Sequence, residues 1–126
     1  MKLVAYATKV CKYKVQNGRK SKPMNRIEQL KQFLITNPND SFVQHALALE
    51  YLKLGDELEA RRLFEKVLQL DENYIGSYYH LAKLLVQLNE TDAAIKVYEK
   101  GMEKAKAAGD RHAYSELQSA YEDLTY

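Results

Sequence analysis

The stretch that decides the fold is LALEYLKLGDELEARRLFEK, residues 47–66. Apolar residues recur at helical spacing on both sides of its centre, where Gly55 and Asp56 stand. Glycine readily takes the positive φ with which many helices end. Aspartate is a favoured N-cap, and Glu59 follows three residues later, as in a capping box. The stretch therefore predicts a helix, a tight turn and a second helix.

A second copy of this pattern begins at Leu81. The stretch LAKLLVQLNETDAAIKVYEK, residues 81–100, aligns with residues 47–66 without a gap. The large apolar, small and turn positions coincide. The period from Leu47 to Leu81 is 34 residues, and a fixed period of this length indicates a helical repeat array. The residues that define the repeat are Leu47, Ala48, Tyr51, Gly55, Ala60, Phe64, Leu81, Ala82, Leu85, Asn89, Ala94 and Tyr98.

The period and these residue types resemble the tetratricopeptide repeat family. Its pattern of Leu-small-x2-aromatic in helix A and Ala-x3-aromatic in helix B reads here as LALEY with ARRLF, and as LAKLL with AIKVY. The resemblance implies an all-α fold, a short right-handed superhelical solenoid of antiparallel helix pairs with about six helices. We predict a domain over residues 24–126, divided into a half repeat (24–40), two full repeats (41–74 and 75–108) and a closing helix (109–126).

Two positions depart from the family pattern. The first position, usually a large aromatic residue, is Gln44 in one repeat and Tyr78 in the next. The closing proline is replaced by Glu72 and Lys106. The small alanines, which let paired helices approach closely, are retained, so the departures leave the predicted fold unchanged.

Charge divides the chain at about residue 24. Residues 1–23 hold seven Lys/Arg and no acidic residue, which leaves twelve Lys/Arg against seventeen Asp/Glu in the remainder. We predict that residues 1–23 are a basic tail, either disordered or not native, in which case translation starts at Met24. The apolar run LVAYAT is too short for a secretion signal and is followed by Lys9. The segment VCKYKV, residues 10–15, alternates as a strand does and is a candidate to dock in the protein's own groove.

Composition narrows the class of protein. No apolar run has the length of a membrane span, so we expect no membrane insertion. The single cysteine, Cys11, excludes an internal disulfide and a cysteine-based zinc site, and it is consistent with the cytoplasmic location that we predict.

Three histidines are the candidate catalytic or metal-binding residues: His45, His80 and His112. They stand at different positions of the repeat without the HExxH spacing of a zinc site, so we expect surface or groove side chains. The sequence has no glycine-rich phosphate loop and no glycine-bounded nucleophile turn. We therefore predict no enzyme, and no catalytic residue, metal, cofactor or small-molecule substrate.

The helix predicted over residues 41–54 carries a second apolar stripe beside the one that packs the repeat. In the family that the chain resembles, these helix A positions face the concave groove that holds peptide ligands. The same stripe also suits a second core face, since a short array buries its middle helices from several sides. The predicted groove residues are Phe42, His45, Leu49, Leu52, Tyr79, Lys83 and Val86, and their nearest equivalents in the closing helix are His112, Ser115 and Ser119.

The closing helix as a whole also carries a polar side, which includes Ser115 and Glu116 and suits the outer face of a terminal unit. The Lys/Asn clamp of chaperone-binding relatives is not matched, because Leu49 occupies one expected Asn position and Lys83 the next. The sequence thus predicts a protein–protein interaction module that binds a partner segment in its concave groove. Two alternatives stay open: a self-associating or assembly-capping protein, and binding of nucleic acid or an acidic partner through the basic tail.

Overall fold

A computed structural model of the chain describes residues 25–126. The predictions for residues 1–23 and for a start at Met24 lie outside the described residues. Within them the chain forms only helices, and each helix packs on the next, which confirms the all-helical prediction. The six helices are α1 (Arg26–Thr36), α2 (Ser41–Leu54), α3 (Glu57–Leu70), α4 (Ile75–Gln87), α5 (Thr91–Ala108) and α6 (Arg111–Thr125).

The turns within the two full repeats have the same construction. Gly55 ends α2 with φ 84°, and Asn89, at the matching position of the next repeat, has φ 66°. In both turns the next residue donates its backbone N–H to the last turn of the helix, from Asp56 to the Tyr51 carbonyl at 3.0 Å and from Glu90 to the Leu85 carbonyl at 2.8 Å. This is the hydrogen bond of a Schellman helix end. The turn between α2 and α3 that the sequence predicts is therefore confirmed, and its copy in the second repeat uses asparagine in place of glycine.

Polar caps begin several helices. Asn25 and Glu28 form a complete capping box at the start of α1, and Asp40 caps α2 by accepting from the Val43 N–H at 3.0 Å. Asp56 accepts from the Glu59 N–H at 3.3 Å, while the Glu59 side chain pairs with an arginine on α3 instead of returning to the cap. The sequence thus places the helix starts correctly, and side-chain ion pairs change the details.

The core forms where the helices meet through small residues. Ala48, Ala60, Ala82 and Ala94 are completely buried, and Phe64 beside them is also fully buried. Alanine lets two backbones approach until their larger neighbours interlock, so a longer side chain at these positions would separate the helices.

The two departures at the first repeat position perform the same structural task. Gln44 donates its side-chain N–H to the Pro38 carbonyl at 2.6 Å, and Tyr78 donates its hydroxyl to the Glu72 carbonyl at 2.6 Å. Each bond joins a helix A to the turn that precedes it. We call these two bonds the joint tethers, since they brace the α1–α2 and α3–α4 joints.

The repeat register changes at the last helix. Helix α5 begins in register with α3 but is four residues longer, and only Gly109 and Asp110 separate it from α6. As a result α6 starts two positions later than the repeat spacing predicts, and the buried Leu117 of α6 corresponds to the buried Leu81 of α4.

Candidate partner-binding groove

Helices α4 and α6 lie side by side against α5, and they form the two walls of an open groove. Gly101 of α5 makes this arrangement possible. A Cβ at that position would lie 2.7 Å from the Cβ of Tyr78 on α4 and 3.2 Å from Cδ1 of Leu117 on α6. The absence of a side chain therefore lets both walls approach α5 closely.

Two cavities open along the groove and share three residues, Tyr79, Ala120 and Asp123. The first, of about 370 Å³, we call the acidic cavity, and its other lining residues are His112, Ser115, Glu116 and Ser119. The second, of about 300 Å³, we call the apolar cavity, and its other lining residues are Lys83, Val86, Gln87, Tyr98 and Leu124. Both are concave sites that combine apolar surface with a few polar groups, as ligand sites commonly do.

Charge is distributed unevenly between the two cavities. Glu116 and Asp123 bring two carboxylates to the acidic cavity, and the Glu116 carboxylate lies 3.2 Å from the His112 imidazole. Asp123 forms no ion pair or hydrogen bond through its side chain with any described residue. On the apolar side, the Lys83 ammonium lies 5.5 Å from the centre of the Tyr79 ring, within cation–π range.

Tyr98 forms the base of the apolar cavity. Only 3% of its surface is exposed, and burial, with smaller contributions from Tyr79 and Asp123, raises the pKa of its hydroxyl to about 12. The hydroxyl is therefore neutral at physiological pH, and it offers a hydrogen-bond donor and acceptor without charge.

The structure brings together the predicted groove residues of α4 and the closing helix. Tyr79, Lys83 and Val86 line the groove from α4. His112, Ser115 and Ser119 line it from α6. The sequence interpretation of Ser115 and Glu116 as an outer polar face is incomplete, because both are exposed residues that line the acidic cavity.

The predicted groove residues of α2 do not line either cavity. Phe42 is 67% exposed, whereas Leu49 and Leu52 are half-buried against the core. The second stripe is thus divided between an exposed residue, packing residues and the α4 portion of the groove. The role of the α2 residues in binding stays a prediction.

His45 and His80 lie between helices rather than on an open surface. The His45 ring is 5.6 Å from the His80 ring, and both contact Phe64, at 5.5 Å and 5.7 Å between ring centres. The His45 Nδ1 lies 2.7 Å from the hydroxyl of the fully buried Ser77, which ties α2 to α4.

Burial governs how these two imidazoles titrate. It lowers the pKa of His45 to about 4, with repulsion from His80 adding to the effect. Burial likewise lowers the pKa of His80, and nearby Lys83 acts in the same direction. We call this pair the histidine joint, and we interpret it as neutral packing at physiological pH.

Sequence reasoning did not assign six of the lining residues to the groove: Gln87, Tyr98, Glu116, Ala120, Asp123 and Leu124. The signal available for Glu116, Ala120 and Asp123 is their spacing of four and three, which places them on one face of a helix. The sequence did not show that this face lines the groove, because the two-residue change of register at α6 determines which side of the helix faces the groove.

Other site classes find no support in the described part of the chain. Among residues 25–126, no three or more His, Cys, Asp or Glu side chains are grouped so that they could hold a metal ion. None of the helices described here has the length and apolarity that crossing a lipid bilayer requires.

Comparison with known proteins decides the family. A family model described as tetratricopeptide repeat matches residues 51–121, more than half of the chain. The chain belongs to the tetratricopeptide repeat family. This match covers the predicted repeats from Tyr51 through most of α6 and confirms the solenoid of paired helices. A search of curated proteins found no match.

Solved structures agree with this assignment. The chain is 42% identical to a tetratricopeptide repeat domain protein from Salinibacter ruber, with a TM-score of 0.67 over 68% of this chain and 96% of that one. It shares the fold of the TPR2B domain of yeast Sti1, solved in a complex with pHsp70, at 17% identity and TM-score 0.73 over 79% of each chain. It also shares the fold of PcrH, solved with the chaperone binding region of PopD, at 16% identity and TM-score 0.75 over 95% of this chain and 87% of that one.

Proposed function

We propose that this protein is a non-enzymatic interaction module that binds a segment of a partner protein in the groove between α4 and α6. The observation that carries the proposal is the pair of adjoining cavities that share Tyr79, with walls from two successive A helices. A side chain of the partner would enter each cavity, and its backbone would cross the ring of Tyr79. We assign no reaction to the site, and we place the protein in the cytoplasm.

The relatives support an interaction role in general. Sti1 TPR2B and PcrH were each solved in complexes with partner polypeptides, and they share this fold. A solenoid presents a stable concave surface without having to fold around its ligand, so little entropy is lost by the scaffold on binding. We infer that in this chain the groove between the A helices α4 and α6 is the part of the concave surface that binds the partner.

The proposal is tested by filling the groove without disturbing the core. Ser119 and Gln118 are adjacent exposed residues of α6, but only Ser119 lines a cavity. We expect Ser119→Trp to prevent capture of partners from native lysate, while Gln118→Trp captures the same proteins as the wild type. Circular dichroism should show equal helicity for both variants. Undiminished capture by a folded Ser119→Trp variant would remove the groove as the binding site.

The contribution of α2 needs a separate variant. Phe42 is the exposed member of the α2 stripe, so Phe42→Ala leaves the core intact. If the bound segment extends from the groove towards α2, this variant should lower partner affinity, whereas unchanged affinity would confine the site to α4 and α6.

Self-association is the second candidate function. On α1, at the start of the array, Phe33 is 46% exposed and Ile35 is 77% exposed. Exposed large apolar residues favour contact with another protein surface. Sedimentation should then detect dimers of the wild type at high concentration and monomers of Ile35→Lys. A monomeric wild type at all concentrations would count against this role.

A further inference from the structure

The most informative feature of the groove is its charge. Two carboxylates, Glu116 and Asp123, stand two helical turns apart along one face of α6. Tyr79 faces them from α4. A cavity with carboxylates on one wall and an aromatic ring on the other suits a cation, which both groups attract.

Asp123 is the stronger indication of the two. Asp123 lines both cavities, and no described residue provides an ion pair for its carboxylate. Among residues 25–126, the ion-pair partner of Glu116 is the His112 imidazole, whose side chain is 85% exposed. Neither carboxylate is neutralised by a lysine or arginine among the described residues, in contrast to Glu90, which Arg61 binds through two hydrogen bonds.

The apolar cavity limits which side chain of the occupant can lie next to the cation. It is lined by Val86, Leu124 and the uncharged Tyr98, together with Lys83. An acidic residue could pair with Lys83, but Asp123, which lines the same cavity, would repel it. An aliphatic side chain meets no such opposition and buries apolar surface.

We propose that the occupant is a partner segment that places a lysine or arginine in the acidic cavity and a neighbouring aliphatic side chain in the apolar cavity. This inference rests on the groove function proposed above. The cation lies between Glu116 and Asp123, and its alkyl stem packs on Tyr79.

The test uses two peptides that differ only in charge, acetylated and amidated GGKLKGG and GGELEGG. Each is titrated into isotopically labelled full-length protein, and amide chemical shifts report both affinity and location. We expect the lysine peptide to bind about tenfold more tightly than the glutamate peptide, as two partly exposed ion pairs allow. The largest shifts should fall on Tyr79, Ser115 and Ser119, and the preference should weaken as salt is added.

A charge-reversal pair provides the control. Glu116→Lys with Asp123→Lys should reverse the preference, so that GGELEGG becomes the tighter ligand. Glu103→Lys with Glu122→Lys changes the net charge equally at exposed residues that line neither cavity, and it should keep the wild-type preference.

The outcomes separate this inference from the groove function itself. Equal binding of the two peptides, a glutamate preference, or no binding of GGKLKGG at millimolar concentration overturns the cationic specificity. Partner capture that Ser119→Trp prevents would still uphold the groove. If the lysine peptide binds but shifts amides only outside α4 and α6, the inference fails, whereas the groove function is still decided by capture with Ser119→Trp.

Discussion

Acid should weaken the contact between the two repeats through the histidine joint. His45 is held between Phe64, Tyr74 and His80, and burial keeps its pKa at about 4 against 6.5 in an open chain. Between these values the unfolded chain binds the proton more strongly, so the free energy of unfolding falls as pH falls. The contribution of the neutral His45 ring to the free energy of unfolding is complete above pH 6.5 and is lost as pH falls through 4.

The magnitude follows from the two pKa values of His45. At about pH 5 the unfolded chain gains about 2 kcal/mol relative to the folded protein, with less expected because the half-buried ring is partly screened by solvent. The depressed pKa of His80 acts in the same direction. For a domain of this size, a change of about 2 kcal/mol is a substantial part of the total stability.

Replacement of His45 by glutamine isolates this effect. The amide can still bond to the Ser77 hydroxyl but does not titrate. Urea unfolding followed by circular dichroism at about pH 8 and about pH 5 gives the pH dependence, which we expect to be about 1–2 kcal/mol smaller in His45→Gln than in the wild type. His112→Gln serves as the control, since its side chain is 85% exposed. Parallel loss of stability in His45→Gln and the wild type would refute the assignment.

Three further predictions concern the fold. Gly101→Ala should destabilise the protein by about 1–3 kcal/mol, because the added Cβ lies 2.7 Å from the Tyr78 Cβ, whereas Gly76→Ala, with 3.8 Å to its nearest atom, should melt no lower than the wild type. Gly55→Val should destabilise the protein by about 1–2 kcal/mol and so lower its thermal midpoint, because valine is strained at φ 84°. Asn89→Gly should leave the midpoint unchanged or raise it. Tyr78→Phe should cost about 1–2 kcal/mol in urea unfolding, since it removes the 2.6 Å bond to the Glu72 carbonyl; equal stability would show that the tether contributes nothing.

The repeat itself was predictable because its constraints are local. A residue with positive φ must end each helix A, and only glycine or asparagine accepts that conformation readily, so Gly55 and Asn89 mark the turns in the sequence. The buried alanines mark the helix contacts in the same way. Such requirements recur once in every repeat and can be recognised by aligning the chain with itself.

The joint tethers were not predictable as a shared feature. Gln44 and Tyr78 differ in size and chemistry, and the repeat pattern treats the first as a departure. Their common role depends on the position of a carbonyl in the preceding turn, which is a property of the folded backbone. The same limit applies to His45 and His80, which stand at non-equivalent repeat positions and meet only because α2 and α4 pack together.

The groove was predicted in part. Tyr79, Lys83 and Val86 follow from the helix A positions that the family resemblance indicates, and the closing-helix equivalents lie opposite them. Asp123 was missed because the charged side of a terminal helix ordinarily faces solvent. Which side faces a neighbour depends on the length of α5 and its two-residue turn, and those set the rotation of α6.

In the described region, the joint tethers brace two of the three joints at which a helix B is followed by a helix A. Aligned from the helix starts, Tyr114 of α6 corresponds to Tyr78 of α4, but its hydroxyl bonds to no other residue in the described region. The α1–α2 and α3–α4 joints are therefore each braced by a side-chain bond, and the α5–α6 joint has no equivalent bond among the described residues. Since that joint carries one wall of the groove, the position of α6 depends instead on its packing against α5 and on the 2.9 Å bond from the Tyr121 hydroxyl to the Glu99 carboxylate.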